Sequence, residues 1–221
     1  MIEIRNIEKI YGFGRSALRV LRGVSLDIMK GEVVSIVGPS GAGKSTLLNL
    51  MGCLDSFQGG TMHIKGKDVT ALSVEDLSGF RNLHIGFIFQ SHNLLPEFSA
   101  IENIMLPLLI RRVGMRKARS EAVRLLEQFN LAERAHHKPA ELSGGECQRV
   151  AVARAIVGNP DILLADEPTG NLDSENSRML TDMLLELGNA GGMTIVIVTH
   201  DRDIAQRTGR TVTLIDGALV D

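Results

Sequence analysis

Apolar residues come in short bursts along this chain, and each burst is closed by glycine or by polar residues. MIEIRNI at the N-terminus, VSLDI (24–28), EVVSIVG (32–38), GTMHIKG (60–66), IGFIFQ (85–90), DILLADE (161–167), MTIVIVTH (193–200) and RTVTLIDG (210–217) read as β-strands on that ground. Within them ILLA and TIVIV are apolar at every position instead of at alternate ones, the pattern of strands covered on both faces in a mostly parallel sheet. Between about Ser91 and Gly158 the period changes. There Ala122, Leu125, Leu126 and Phe129 fall at i, i+3, i+4 and i+7, which lays one apolar stripe along a helix packed on the rest of the domain. The whole predicts an α/β fold, a single domain over residues 1–221, with a helical subdomain at about 91–158 inserted in its core.

Composition narrows the partners. Lys and Arg number 24 against 26 Asp and Glu, a net charge of -2, so no broad field draws nucleic acid to the chain. Cys53 and Cys147 have neither metal-ligand spacing nor the density of a disulfide framework, and a reduced compartment is expected. The N-terminus lacks the apolar core of a signal peptide, and the run IMLPLLI (104–110) is too short to span a bilayer. Direct membrane insertion is not expected, so any membrane role passes through a partner.

The chemistry begins where the third strand ends. Gly38-Pro39-Ser40-Gly41-Ala42-Gly43-Lys44-Ser45, followed by Thr46, matches the phosphate-binding pattern G-x-x-x-x-G-K-[ST], with a β-rich run before it and the helix-like TLLNLMG after it. Glycines let backbone N–H groups close around phosphate oxygens, and the helix N-terminus adds partial positive charge. Lys44 supplies a full charge, and Ser45 a hydroxyl for Mg²⁺. Asp166 and Glu167 close the apolar ILLA run, where two adjacent acids are costly unless they meet a cation or water. Neighbouring strand side chains point to opposite faces, so Asp166 is expected to serve the metal and Glu167 the attacking water as general base. His200, at the end of MTIVIVTH, is a candidate donor to the γ-phosphate, and Gln90, ending IGFIFQ, a candidate ligand for Mg²⁺ or water. Tyr11, the one tyrosine, offers a ring on which a purine could stack. Ser143-Gly144-Gly145, followed by Glu146 and a helical run, makes a second anion cradle. Cys147 in its first turn is expected to have a lowered thiol pKa and to be sensitive to alkylation.

In order along essentially the whole chain, Tyr11, the loop Gly38–Thr46, Gln90, LSGGE at Leu142–Glu146, ILLADE, NLD at Asn171–Asp173 and His200 resemble the nucleotide-binding subunits of ATP-binding cassette (ABC) transporters. That resemblance implies a P-loop NTPase core of RecA type with a mostly parallel sheet, an N-terminal antiparallel β segment and an inserted helical subdomain. It implies an ATPase using ATP and Mg²⁺, and a head-to-tail homodimer in which Ser143, Gly144, Gly145 and Glu146 of one copy close over the nucleotide on the P-loop of the other. It also implies integral membrane transport subunits as partners, and a peripheral place on the cytoplasmic face of the inner membrane. The insertion GFGRSALRV, the GCLD after the P-loop helix and HNLLPEFSAIENIMLPLLI are most similar to the lipoprotein-releasing branch of the family, with exporter and cell-division regulatory branches as alternatives. In that layout Leu94, Leu95, Pro96, Phe98 and Ile101 are expected to receive a short helix of the membrane partner. Glu146 stands where most of the family has glutamine, and Cys147 where near relatives often have arginine.

Overall fold

The computed structural model describes residues 1–220. Along the chain run β1 (Ile2–Tyr11), β2 (Leu18–Ile28), β3 (Val33–Val37), α1 (Lys44–Met51), β4 (Gly59–Ile64), β5 (Lys67–Asp68), α2 (Val74–His84), β6 (Ile85–Ile88), α3 (Ala100–Ile110), α4 (Met115–Gln128), α5 (Gly144–Ile156), β7 (Ile162–Asp166), α6 (Ser174–Gly191), β8 (Thr194–Val198), α7 (Arg202–Arg207), β9 (Arg210–Ile215) and β10 (Ala218–Val220). The chain packs as two compact units, one of residues 1–78 with 185–221 and one of residues 79–184.

The first unit contains an antiparallel sheet in the order β2-β1-β4-β5. β1 runs on past its N-terminal apolar pattern to Tyr11; a register irregularity between Ile4 and Ile7 shifts the alternation by one, so that Ile7 and Lys9 follow Ile2 and Ile4 on the buried side. In the same unit β3 pairs in parallel with β8 on one side and β9 on the other, and β10 closes back on β9. Every residue of TIVIV is buried, as a strand covered on both faces requires.

The second unit pairs β6 with β7 in parallel and packs α3, α4 and α5 together. ILLA is wholly buried, and Ala122, Leu125, Leu126 and Phe129 lie in the core as their spacing predicts. The helical stretch expected at 91–158 falls inside this unit, which also carries two strands. Three helices, α2, α6 and α7, and the short strands β5 and β10 lie outside the elements read from the pattern. Among the described residues no helix is long and apolar enough to cross a membrane.

Candidate functional site

In the first unit β3 delivers the chain to a tight loop. Gly38 has φ 150, and a Cβ there would stand 2.0 Å from the carbonyl oxygen of Leu214. Gly43 has φ 100, and its Cβ would meet Leu21 Cδ2 at 2.9 Å. Each position needs glycine for both backbone and space. Gly43 caps α1 in a left-handed conformation and without any side-chain hydrogen bond, at the helix end where backbone N–H groups point outward. Pro39, Ser40 and Gly41 are exposed at the tip, whereas Ala42 is buried and its carbonyl accepts from Gly217 N at 3.2 Å. Lys44 is nearly buried, and its ammonium donates to Gly38 O at 2.8 Å and Pro39 O at 3.0 Å. The cation is thereby held over the loop by two carbonyls. Phosphate oxygens are stronger acceptors for the same donor. Ser45 is exposed on the first turn of α1.

His200 is exposed two residues beyond β8 and, with Gly38, Val37, Arg202 and Thr213, lines a cavity of about 420 Å³ at the base of this loop. The chain reaches that place because Thr199 N donates to Ile36 O, carrying the β3–β8 ladder one step further.

Tyr11 ends β1. Its hydroxyl donates to Asp55 Oδ2 at 2.7 Å, and Lys9 Nζ lies 4.5 Å from its ring centroid. Lys9 is only 3% exposed and donates to Asp55 Oδ1 at 2.7 Å and Ser56 O at 2.6 Å. Burial raises the Tyr11 pKa, and the Asp55 hydrogen bond adds to it. For Asp55 burial pushes upward, but hydrogen bonds from Lys9, Tyr11 and Ser56 N together hold its carboxyl below the usual range.

In the second unit β6 and β7 run parallel, so their C-terminal ends bring Gln90 and the two acids out on one side. Gln90 is exposed, and its backbone oxygen accepts from Asn171 Nδ2 at 3.1 Å. Asp166 is the last residue of β7, but Glu167 has left the strand with φ 44. The expectation that strand alternation separates the two acids is therefore corrected: a left-handed residue at the strand exit separates them.

The Ser143 turn is a reciprocal cap. Ser143 Oγ accepts from Glu146 N at 3.2 Å, and Glu146 Oε2 accepts from Ser143 N at 2.8 Å. Arg134 Nε donates to Glu146 Oε1 at 2.8 Å. With Arg134 first and the Ser143 N–H second, these contacts hold the Glu146 pKa down to about 2. Ser143 and Gly144 are exposed, whereas Gly145 is buried. Cys147 does not behave as its place near a helix start suggested. Its thiol is buried, facing Pro139 O at 3.5 Å, and burial, followed by the Glu146 charge, raises its pKa. Desolvation of a thiolate outweighs the helix N-terminus here.

The segment after Gln90 is pinned from below. Asn103, fully buried, donates to Leu95 O, Phe98 O and Ser99 O and accepts from Leu95 N. Arg154 holds His92 O at 2.7 Å and Asn93 O at 2.6 Å. Gln148, 1% exposed, joins the His92 ring through Oε1 and donates to Pro168 O at 2.7 Å, immediately after Glu167. Leu95, Pro96 and Phe98 are exposed and Leu94 half-buried, but Ile101 is in the core at 4% exposure. The docking role expected for Ile101 is thus corrected to packing, since α3 turns that position inward.

Lys9, Arg134 and Gln148 were not among the residues the motifs singled out, and Asp55 stood only as the last residue of GCLD, without a role. One signal was available: S-x-x-E at Ser143–Glu146 is a capping-box pattern. A buried lysine or glutamine leaves no such trace.

Residues 21–170 match the ABC transporter family, and the chain belongs to it. It is 51% identical over 220 residues, covering all of both chains, to a lipoprotein-releasing system ATP-binding protein LolD from Bacteroides fragilis. A LolD of Bacteroides thetaiotaomicron is 50% identical, with 99% of each chain covered. Among solved structures, a dimeric post-hydrolysis state of the ATP-binding cassette MJ0796 bound to ADP and Pi superimposes with a TM-score of 0.94 at 41% identity, covering all of this chain and 97% of that one.

Proposed function

We propose that this protein is the ATP-hydrolysing, energy-coupling subunit of a lipoprotein-releasing ABC transporter. The observation that carries the reading is the loop at 38–45: three glycines at positive φ, a helix start capped by glycine, and the Lys44 ammonium parked on two loop carbonyls from which a phosphate would recruit it. Full-length identity near 50% to LolD proteins supports the substrate class.

In this reading ATP lies along the loop, with the purine against the Tyr11 ring and the phosphates against Lys44 and the α1 N–H groups. Among the described residues there is no cluster of three or more His, Cys, Asp or Glu to hold a metal. Ser45, Gln90 and Asp166 would instead supply a sparse oxygen set, which suits an ion carried mainly by phosphates. Bound Mg²⁺ would neutralise charge on those phosphates. Glu167 orients and polarises water, and His200 donates to the terminal phosphate. Ser143, Gly144, Gly145 and Glu146 serve the nucleotide of a second copy, as the dimeric relative suggests. Leu94, Leu95, Pro96 and Phe98 receive the membrane subunits, which would keep the protein at the cytoplasmic face of the inner membrane.

Glu167→Gln tests the core of this. The variant is expected to bind ATP, to lose most hydrolysis and to run as a dimer on gel filtration with saturating Mg·ATP. A variant that stays monomeric and hydrolyses at the parental rate would refute the assignment. Capture of lipoprotein-binding membrane subunits by the tagged full chain tests the cargo, and recovery of division-site subunits alone would replace it.

A further inference from the structure

Glu146 poses an electrostatic problem. It puts a carboxylate into the first turn of the helix whose N-terminus, on the reading above, must face the phosphate of a second copy. An acidic residue there stabilises the helix itself, but it repels an incoming anion. Nor is it the only acid nearby. A cavity of about 370 Å³ beside the turn is lined by Glu127, Glu133 and Glu146, with Asn130, Ala132 and Arg134. Arg134 is the one cation on that lining.

The Arg134 guanidinium feels the charges of Glu146 and Glu133, and its bond goes to Glu146. Its Nε–H goes to Glu146 Oε1, while Glu146 Oε2 takes the Ser143 N–H and the Ser143 hydroxyl oxygen takes the Glu146 N–H. The last bond matters for chemistry. That bond fixes the Ser143 oxygen within the cap, and the Ser143 hydroxyl also faces the Glu146 carboxylate. A chain of hydrogen bonds therefore runs from Arg134 through Glu146 to the group that would meet the phosphate.

We infer that Arg134 is a positioning residue for the nucleotide of the neighbouring copy: it neutralises Glu146 and holds that carboxylate in the cap, so that an anion meets the Ser143 turn without an uncompensated negative charge beside it. The inference rests on the Ser143 turn being part of an ATP site. It assigns Arg134 a purpose that exists only while position 146 is a carboxylate, because a neutral glutamine can cap the turn without a countercharge.

The test is a double-mutant cycle on steady-state ATP hydrolysis by the full chain, with R134A made both in the parent and in an E146Q background. Arg134 is 42% exposed at its side chain, so its loss leaves folding intact, and circular dichroism checks this. In the parent, R134A is expected to raise KM for Mg·ATP by about tenfold, the scale of a lost charge-assisted hydrogen bond, and to do so less at high salt. In the E146Q background the same substitution should change KM by less than about twofold. A parental R134A KM equal to that of the unmodified protein overturns the inference. So does an equal penalty in both backgrounds, which would mean that Arg134 acts through packing. S143R separates the two layers. If S143R hydrolyses ATP normally, the turn is not part of the site and the underlying reading falls. If S143R is inactive while the cycle shows no coupling, only the role of Arg134 falls.

Discussion

Asp55→Asn probes the tie between Tyr11 and the end of the P-loop helix. The aspartate accepts three bonds at once, from Lys9 Nζ, from the Tyr11 hydroxyl and from Ser56 N, each at 2.7 Å. Asparagine keeps the shape and one acceptor oxygen but removes the charge, leaving a lysine that is 3% exposed against neutral oxygens. Removing one partner of a fully buried ion pair costs about 3–5 kcal/mol. The Asp55 side chain is 30% exposed and the amide still accepts, so solvent screening brings the expected loss to roughly 1–2 kcal/mol.

The chain has one tyrosine and no tryptophan, so the ultraviolet absorbance of phenolate reports Tyr11 alone. Burial and then Asp55 raise the Tyr11 pKa. In Asp55→Asn the carboxylate's charge goes while burial stays, so the titration midpoint should fall. Stability carries its own sign. The folded pKa of Asp55 lies below its unfolded value, so its contribution is complete above the unfolded pKa and drains away as pH falls through the folded one. Urea unfolding should therefore separate variant from parent at neutral pH and bring them together in acid. An unchanged tyrosine midpoint with an unchanged urea midpoint would show that the Lys9–Asp55–Tyr11 cluster does not exist in solution.

Gly38→Ala places a Cβ 2.0 Å from Leu214 O at φ 150, so the loop must move; Mg·ATP binding by calorimetry should be lost, and parental affinity would contradict the loop geometry. Gln148→Leu strips the His92 ring and Pro168 O of a buried partner, and at about 1–3 kcal/mol per orphaned group the urea-derived stability should drop by roughly 2–4 kcal/mol. A drop under about 1 kcal/mol would mean that water or a rotamer change replaces both bonds.

What the sequence disclosed, and what it withheld, divides along physical lines. ILLA and TIVIV were legible because burial on both faces demands uninterrupted apolar residues. The P-loop was legible because the strain at Gly38 and the glycine cap before Lys44 are local properties of consecutive residues. Helix α6 escaped because its inward stripe is filled by Leu180, Thr181, Leu184 and Gly188, half of them not apolar. Gly188 is needed because a Cβ there would strike Val33 at 2.5 Å, which no periodicity reveals. The turn at Glu167 was equally hidden, since a glutamate at φ 44 is imposed by its surroundings and not by its identity.

The residues that hold the motif residues belong to the same class. Lys9 and Asp55 are 46 positions apart, and Gln148 stands 56 from His92 and 20 from Pro168. Burying an ammonium or an amide is unfavourable until the distant partner arrives, so nothing in the neighbouring sequence can mark such a residue for burial. Groups that touch the nucleotide are therefore readable as motifs, whereas the groups that aim them become readable only once the chain has folded. The Arg134–Glu146 pair stands between these cases. Its acid lies inside a motif and its base does not, and only the fold joins the two.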